Sequence, residues 1–361
     1  MAFLMGATRN HQLDGWRAIA VVGVMWLHWA IPKWRGGIPF EIGLYFFLTL
    51  TGFLITRILL RTREQGEASG QPWMLRSFRD FQWRRALRIL IPCYAAMLFG
   101  LLVRAPDLTA HPWVYFLHVS NFHIAWLPEW PFGTSHYWTL AIQQQFYLLW
   151  PLVIFLTPRR LLGASLFMLA ALAPLSRVIL QHRFPEIHHP GAITLCALDY
   201  LAGGSLLALA MHRGMKTDDR RLKGASWICL VAYAVLYTLD WNGRPVPGLR
   251  HLQQTFLTVS MAGLIAATLH GFRGWLGRFL THPWVLHVSK LSYSLYLFHC
   301  LVPMGLGFVV PMLWDIDGTL GTATRLLCFF LTSWGVSWLS WKYIEQPLDH
   351  IRRRPNSEKE A

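Results

Sequence analysis

Three side chains near the start of the chain have the types and spacing needed to move a proton beside a cationic group: Asp14, Arg17 and His28. On a helix that advances about 100° per residue, the step from Arg17 to His28 is three turns plus about 20°. Both therefore lie on one stripe, about 16 Å apart along the axis. Asp14 falls within about 60° of that stripe and, three residues before Arg17, can pair with it. His28 is left alone near the far end of the helix. A neutral imidazole there can take a proton from an alcohol, and a histidine hydrogen-bonded to a neighbouring helix fits the same spacing.

Further along, Arg84, Arg85 and Arg88 bring three guanidinium groups together ahead of Pro92. Such a cluster suits bidentate binding of phosphates, or plain anchoring at a membrane surface. His136, Trp138, Gln143, Gln144 and Gln145 open another apolar run. Three consecutive glutamines sweep about 200° of a helix, so at least one must face protein. Asp199 and Arg177 fall at similar depths in consecutive antiparallel runs, where an ion pair is expected. Ser292, Tyr296 and His299 share one face, open to substrate contact or to bonding between helices.

The elements that must hold these residues are membrane helices. Only 14% of the 361 residues are charged and 54% are hydrophobic, whereas a soluble domain has about 25% charged residues. Runs of about 20 apolar residues, enough to cross a bilayer, occur at 13–32, 39–60, 88–104, 138–157, 161–180, 192–212, 225–240, 252–270, 289–312 and 320–343. The predicted fold is an all-α integral membrane protein, a bundle of about ten transmembrane helices. The run at 111–127, broken by Pro112 and Pro128, is assigned to a surface-lying or re-entrant segment.

Placing both termini in the cytoplasm puts 25 of the 33 Lys and Arg residues inside and 8 outside, a strong positive-inside bias. An eleventh span at 111–127 would invert every later loop and lose that bias. The net charge of +15 is thus a sign of topology and not of nucleic-acid binding. One domain over 1–351 is expected, with a polar cytoplasmic tail over 352–361. The first run, from Leu13, lacks a small-residue cleavage site and reads as an uncleaved helix. Five cysteines without a C-x-x-C pair support neither a disulfide framework nor a zinc site, and no metal is expected.

Six blocks in order then carry a resemblance. They are LDGWRAIAVV at 13–22 followed by His28, GLYFFLTLTGFLIT at 43–56, RRALRILIP at 84–92, HYWTLAIQQQFYLLWP at 136–151, SYSLYLFH at 292–299 and WKYIEQP at 341–347. Together they resemble the acyltransferase 3 family of membrane O-acyltransferases across nearly the whole chain.

The resemblance implies an acyl-CoA-dependent O-acyltransferase of the bacterial inner membrane. It would move an acyl group, acetyl by family analogy, onto a hydroxyl of an extracytoplasmic or lipid-linked sugar or polysaccharide. No cofactor would be resident, and acyl-CoA would be a co-substrate. Arg17 and His28 match the family's essential pair, joined by Asp14 and Gln143 in the catalytic group. Arg84, Arg85 and Arg88 match the donor-side basic motif. His136, Trp138, Gln144, Asp199, Tyr296 and His299 are expected to contact the acceptor or line its cavity.

The chain departs from the family pattern in three places. Gln143 stands where Glu is usual, Tyr45 where Asp is usual, and Ala197 where Arg is usual. A glutamine can orient a ring but cannot raise its basicity by charge. With no Ser or Cys evidently beside His28, direct transfer without an acyl-enzyme is expected. The rival classes are a family member altered to bind glycan only and a small-molecule transporter. The transporter predicts broken helices and inverted repeats, and neither is legible in the sequence.

Overall fold

The computed structural model describes residues 10–353 and contains no strand among them. Its long helices are α1 (His11–Trp29), α2 (Ile42–Ala68), α3 (Met74–Leu102), α4 (Tyr137–Leu156), α5 (Leu162–Arg183), α6 (Thr194–His212), α7 (Arg220–Trp241), α8 (Leu249–His270), α9 (Pro283–Phe298), α10 (Leu301–Val309) and α11 (Gly318–Ser340). The expected tail at 352–361 is helical at its start, in Gln346–Arg353, and its remainder lies outside the described residues.

Seven of these helices, α2 to α8, are long and apolar enough to cross a membrane, and α9 with α10 makes an eighth if counted as one bent span. Helices α1 and α11 coincide with the two other expected spans but fall below that apolarity. In α1 the cause is Asp14, Arg17 and His28 themselves. Outward-facing Leu98, Phe167, Met168 and Ile228 are all more than half exposed. Water would reject such a belt, and lipid accepts it.

The sequence gives no hint of a break between 289 and 312, yet α9 and α10 meet at 69° across His299 and Cys300. Apolar residues flank His299 on both sides, and Pro303 lies beyond the bend. Composition therefore could not reveal the break.

Small residues bring the helices together. Helix α2 packs most extensively on α6. A Cβ on Gly52 would lie 2.0 Å from the Leu201 carbonyl oxygen, and one on Gly204 would lie 1.9 Å from that of Thr49. Only glycine allows this backbone approach. Next to it Trp150 Nε1 donates to Thr56 Oγ1 at 2.7 Å, and Thr56 donates to Ser205 at 2.7 Å. Helix α1 is clamped the same way. Gly15 abuts the Leu280 backbone, and Gly43 abuts that of Ala20. A fixed α1 is what the site requires.

Candidate active site

Helix α1 presents its polar stripe to α9. Arg17 lies 3.4 Å from Asp14 and donates to Ser292 Oγ at 3.0 Å. Asp14 is buried and Arg17 half-buried. The i, i+3 pairing read from the sequence is thus present, and Ser292 extends it to a second helix.

One stripe-length higher, three imidazoles meet. The His28 and His299 rings are 4.9 Å apart, His136 and His299 4.7 Å, and His28 and His136 6.5 Å. Each comes from a different place. His28 is in the last turn of α1, His136 caps the start of α4, and His299 sits at the α9–α10 break. The expectation of a solitary His28 is corrected: its neighbours come from helices remote in sequence. His136 and His299 are buried, while His28 is exposed among buried Val24, Met25 and Ala30.

Hydrogen-bond partners assign the tautomers. His28 Nδ1 lies 2.8 Å from the Val24 carbonyl oxygen and 3.3 Å from His299 Nε2. His299 Nδ1 lies 2.8 Å from the Tyr296 carbonyl oxygen. A carbonyl can only accept, so both Nδ1 atoms carry the proton, and the single Nδ1 proton of His28 points chiefly at Val24 with His299 Nε2 a longer, shared acceptor. This leaves the Nε2 lone pair of His28 available. His136 Nε2 donates to the Leu297 carbonyl at 3.2 Å, which leaves its buried Nδ1 without a partner among the described residues. Tyr296 braces the group, donating to the His136 carbonyl at 3.0 Å and meeting Thr139 Oγ1 at 2.5 Å.

Cys300 corrects another expectation. Its sulfur and one nitrogen each from His28 and His299 lie within 4.8 Å of one another. A thiol therefore stands beside His28, brought there by the break in the helix.

The other sequence candidates divide. The three guanidinium groups do not act alike. Arg84 and Arg88 are exposed, whereas Arg85 lies over the rings of Phe81 and Tyr147 at 5.4 and 5.6 Å. A π-turn over Ala86–Leu90, which contains Arg88, interrupts α3 just after Arg84 and Arg85. Among the glutamines, Gln143 makes no hydrogen bond with described residues, and Gln144 has a buried Nε2 without a partner. Gln145 is the one that binds its surroundings, donating to the His118 carbonyl at 3.0 Å and to Asn121 Oδ1 at 2.8 Å.

Trp138 and Asp199 belong to a second place. Trp138 lines a pocket with Trp130, His189, Tyr45, Tyr200 and Arg177. Trp130 stacks on His189 with centroids 4.1 Å apart. Beneath it Arg177 pairs with Asp199 at 2.7 Å, both buried, and Thr255 Oγ1 donates to the other carboxylate oxygen at 2.8 Å. Both carboxylate oxygens of Asp199 are bonded, whereas the buried Nε of Arg177 has no partner among the described residues, and a buried pair of this kind fits a structural role. The aromatic walls could stack on a sugar ring.

A family model described as an acyltransferase domain, that of acyltransferase 3, matches residues 10–342. The chain is 27% identical over 330 residues to the putative peptidoglycan O-acetyltransferase YrhL of Bacillus subtilis, covering 81% of this chain and 49% of that protein. It is 26% identical over 369 residues to the O-acetyltransferase OatA of Staphylococcus aureus, covering 93% and 56%. A shorter match, 32% over 164 residues, is to the peptidoglycan O-acetyltransferase OatA of Listeria monocytogenes, covering 40% of this chain and 24% of that protein. The chain thus spans about half the length of the first and second of these relatives. No solved structure matches. With six motif blocks in order and a family model matched from residue 10 to residue 342, the chain belongs to the acyltransferase 3 family.

Proposed function

We propose that this chain is a ten-span O-acyltransferase of the bacterial inner membrane, with both termini in the cytoplasm. It takes an acetyl group from cytoplasmic acetyl-CoA and delivers it to a hydroxyl of a cell-wall or other extracytoplasmic glycan. The named activity of the relatives supports the acetyl group and the glycan. The observation that carries the reading is the state of His28. Its Nδ1 is tied to a main-chain carbonyl, its Nε2 is available, and the residue reaches the surface of the bundle.

In the reaction, His28 Nε2 removes the proton of the acceptor hydroxyl as its oxygen attacks the thioester carbonyl carbon. A C–O bond forms, the C–S bond breaks, and the thiolate leaves and takes up a proton. The Arg17–Asp14 pair sits below, facing the donor. Arg84 and Arg88 receive its phosphates, with Arg85 holding the motif against Phe81 and Tyr147. The pocket of Trp130, Trp138 and His189 holds the glycan. Holding thioester and hydroxyl together supplies much of the rate.

The 69° break at His299–Cys300 favours one other reading, a transporter with a discontinuous helix at its binding site. One experiment separates them. Purified protein in lipid vesicles is given labelled acetyl-CoA and candidate glycans. Label on glycan supports the enzyme. Solute uptake without acyl transfer supports the transporter, and glycan binding with neither supports a binding-only member altered at Gln143.

A further inference from the structure

We propose that Asp107, His111 and His123 form a site for a zinc-type divalent cation on the segment between α3 and α4. Three short helices, Pro106–Ala110, Pro112–Phe116 and Ser120–Trp126, fold back on one another there. They place three ligating side chains around one point. His123 Nε2 lies 3.1 Å from Asp107 Oδ1, and His111 Nδ1 lies 3.4 Å from the same oxygen. The two imidazole rings are 4.7 Å apart, and all three ligand atoms lie within 4.8 Å of one another.

These separations match a coordination sphere. With metal–ligand bonds of about 2.0–2.1 Å, donors around a tetrahedral zinc stand roughly 3.3 Å apart. Two of the three contacts are already at that spacing, and the third needs only a turn of the half-exposed His111 ring.

The carboxylate is also fixed as a ligand must be. Its second oxygen, Oδ2, accepts a short hydrogen bond from the hydroxyl of Tyr115. Tyr115 is fully buried, and its hydroxyl lies 3.0 Å from Thr134 Oγ1. Such outer partners aim a ligating group and hold its free oxygen toward the ion. An ordinary surface ion pair has no need of a buried tyrosine behind it. The donor set is two imidazoles and one carboxylate. Their side chains are 50%, 21% and 15% exposed for His111, His123 and Asp107, so a fourth position opens to solvent. Two nitrogens and an oxygen favour zinc over calcium or magnesium, which prefer oxygen alone. An ion here would pin the first of the short helices to the last and brace the segment that leads through Thr134 to His136.

The test uses full-length protein in detergent, purified without a polyhistidine tag, stripped with chelator and titrated with zinc chloride. Calorimetry is expected to show one equivalent bound, and X-ray absorption to show nitrogen and oxygen ligands without sulfur. Removing exposed His111, as His111→Ala, or His123, as His123→Ala, abolishes that equivalent. Tyr115→Phe weakens it about 10-fold or more by loosening the carboxylate. His111→Ala keeps the fold intact by circular dichroism, so its loss of zinc reports the site itself. No stoichiometric zinc in the unaltered protein, undiminished binding in His111→Ala, or a sulfur ligand would each overturn the proposal. A sulfur ligand would point to His28, His299 and Cys300 instead.

Discussion

Two groups of three residues use histidine in opposite ways. Around His28 the hydrogen bonds of the imidazoles among the described residues run to main-chain carbonyls and to one another. A carbonyl fixes which nitrogen holds the proton but adds no full charge, and at His28 it leaves the other nitrogen with a free lone pair. Around Asp107 two imidazoles share one carboxylate oxygen. A carboxylate does add charge, and it draws either protons or a metal cation into the space between them. The partner of the ring, more than the ring, decides whether histidine serves as a base or as a ligand.

The largest expected effect breaks the first group. His28→Ala lowers acetyl transfer to glycan by about 10²–10⁴-fold, the usual range for a lost general base. Labelled acetate incorporation in vesicles measures it. Full activity in a folded variant would remove His28 from the chemistry and leave the cluster as a bond between helices.

A histidine with neither kind of partner sharpens the comparison. His118 is 8% exposed, its Nε2 meets no acceptor among the described residues, and burial pushes its pKa down to about 4. The unfolded chain has an ordinary histidine near 6.5 and so binds the proton first as pH falls. Stability is therefore complete above about pH 6.5 and drops as pH falls toward 4, by on the order of 3 kcal/mol in all. Other groups titrate in the same window, so the informative quantity is the difference between the protein and His118→Asn. Asparagine tolerates the left-handed backbone here, where φ is 54°. Thermal unfolding in detergent at pH 7.5 and 5.0 should show a smaller acid loss for the variant. An equal loss would mean that the buried ring is charged after all.

The sequence disclosed what lies within one helix or between consecutive ones. Asp14 with Arg17 follows from a three-residue step, and Arg177 with Asp199 from antiparallel depth, and both pairs are present. It could not disclose contacts that depend on the register of distant helices. His28 and His299 are 271 positions apart, and nothing in either run marks the other. The Asp107 group was hidden differently. Asp107 and His111 have a helical four-residue step, but His123 joins them only through the fold of three short proline-bounded helices. Spacing does not separate Gln145 from Gln143 and Gln144, and its role depends on Asn121 and Thr194, which lie opposite it.

A smaller effect asks whether the first group tolerates a carboxylate. Gln143→Glu restores the family's usual residue, and turnover is expected to hold or to rise by a few-fold. Gln143 makes no hydrogen bond with described residues, so the change breaks none. A large loss would mean the site has been rebuilt around the amide, and that a negative charge turns His28 from a base into a partner of the acid, as at Asp107.

The smallest effect concerns the sulfur beside His28. Cys300 is buried and close enough to His28 and His299 to be considered as an acyl carrier. Transfer through it needs two steps: thiolate attack on the donor thioester, then attack of the glycan hydroxyl on a thioester at Cys300. The first exchanges one thioester for another and gains no driving force. It also requires a buried thiol to lose its proton to a ring that must later take one from the alcohol. Direct transfer needs one proton removal at His28 Nε2 and no such exchange. Cys300→Ala is therefore expected to keep turnover within about 3-fold, a change worth less than 1 kcal/mol in the barrier. Mass spectrometry of protein held with acetyl-CoA and no acceptor should find Cys300 unmodified. An acetylated Cys300, together with a Cys300→Ala enzyme as inactive as His28→Ala, would move the nucleophile from the sugar to the protein and make His28 the base for both steps.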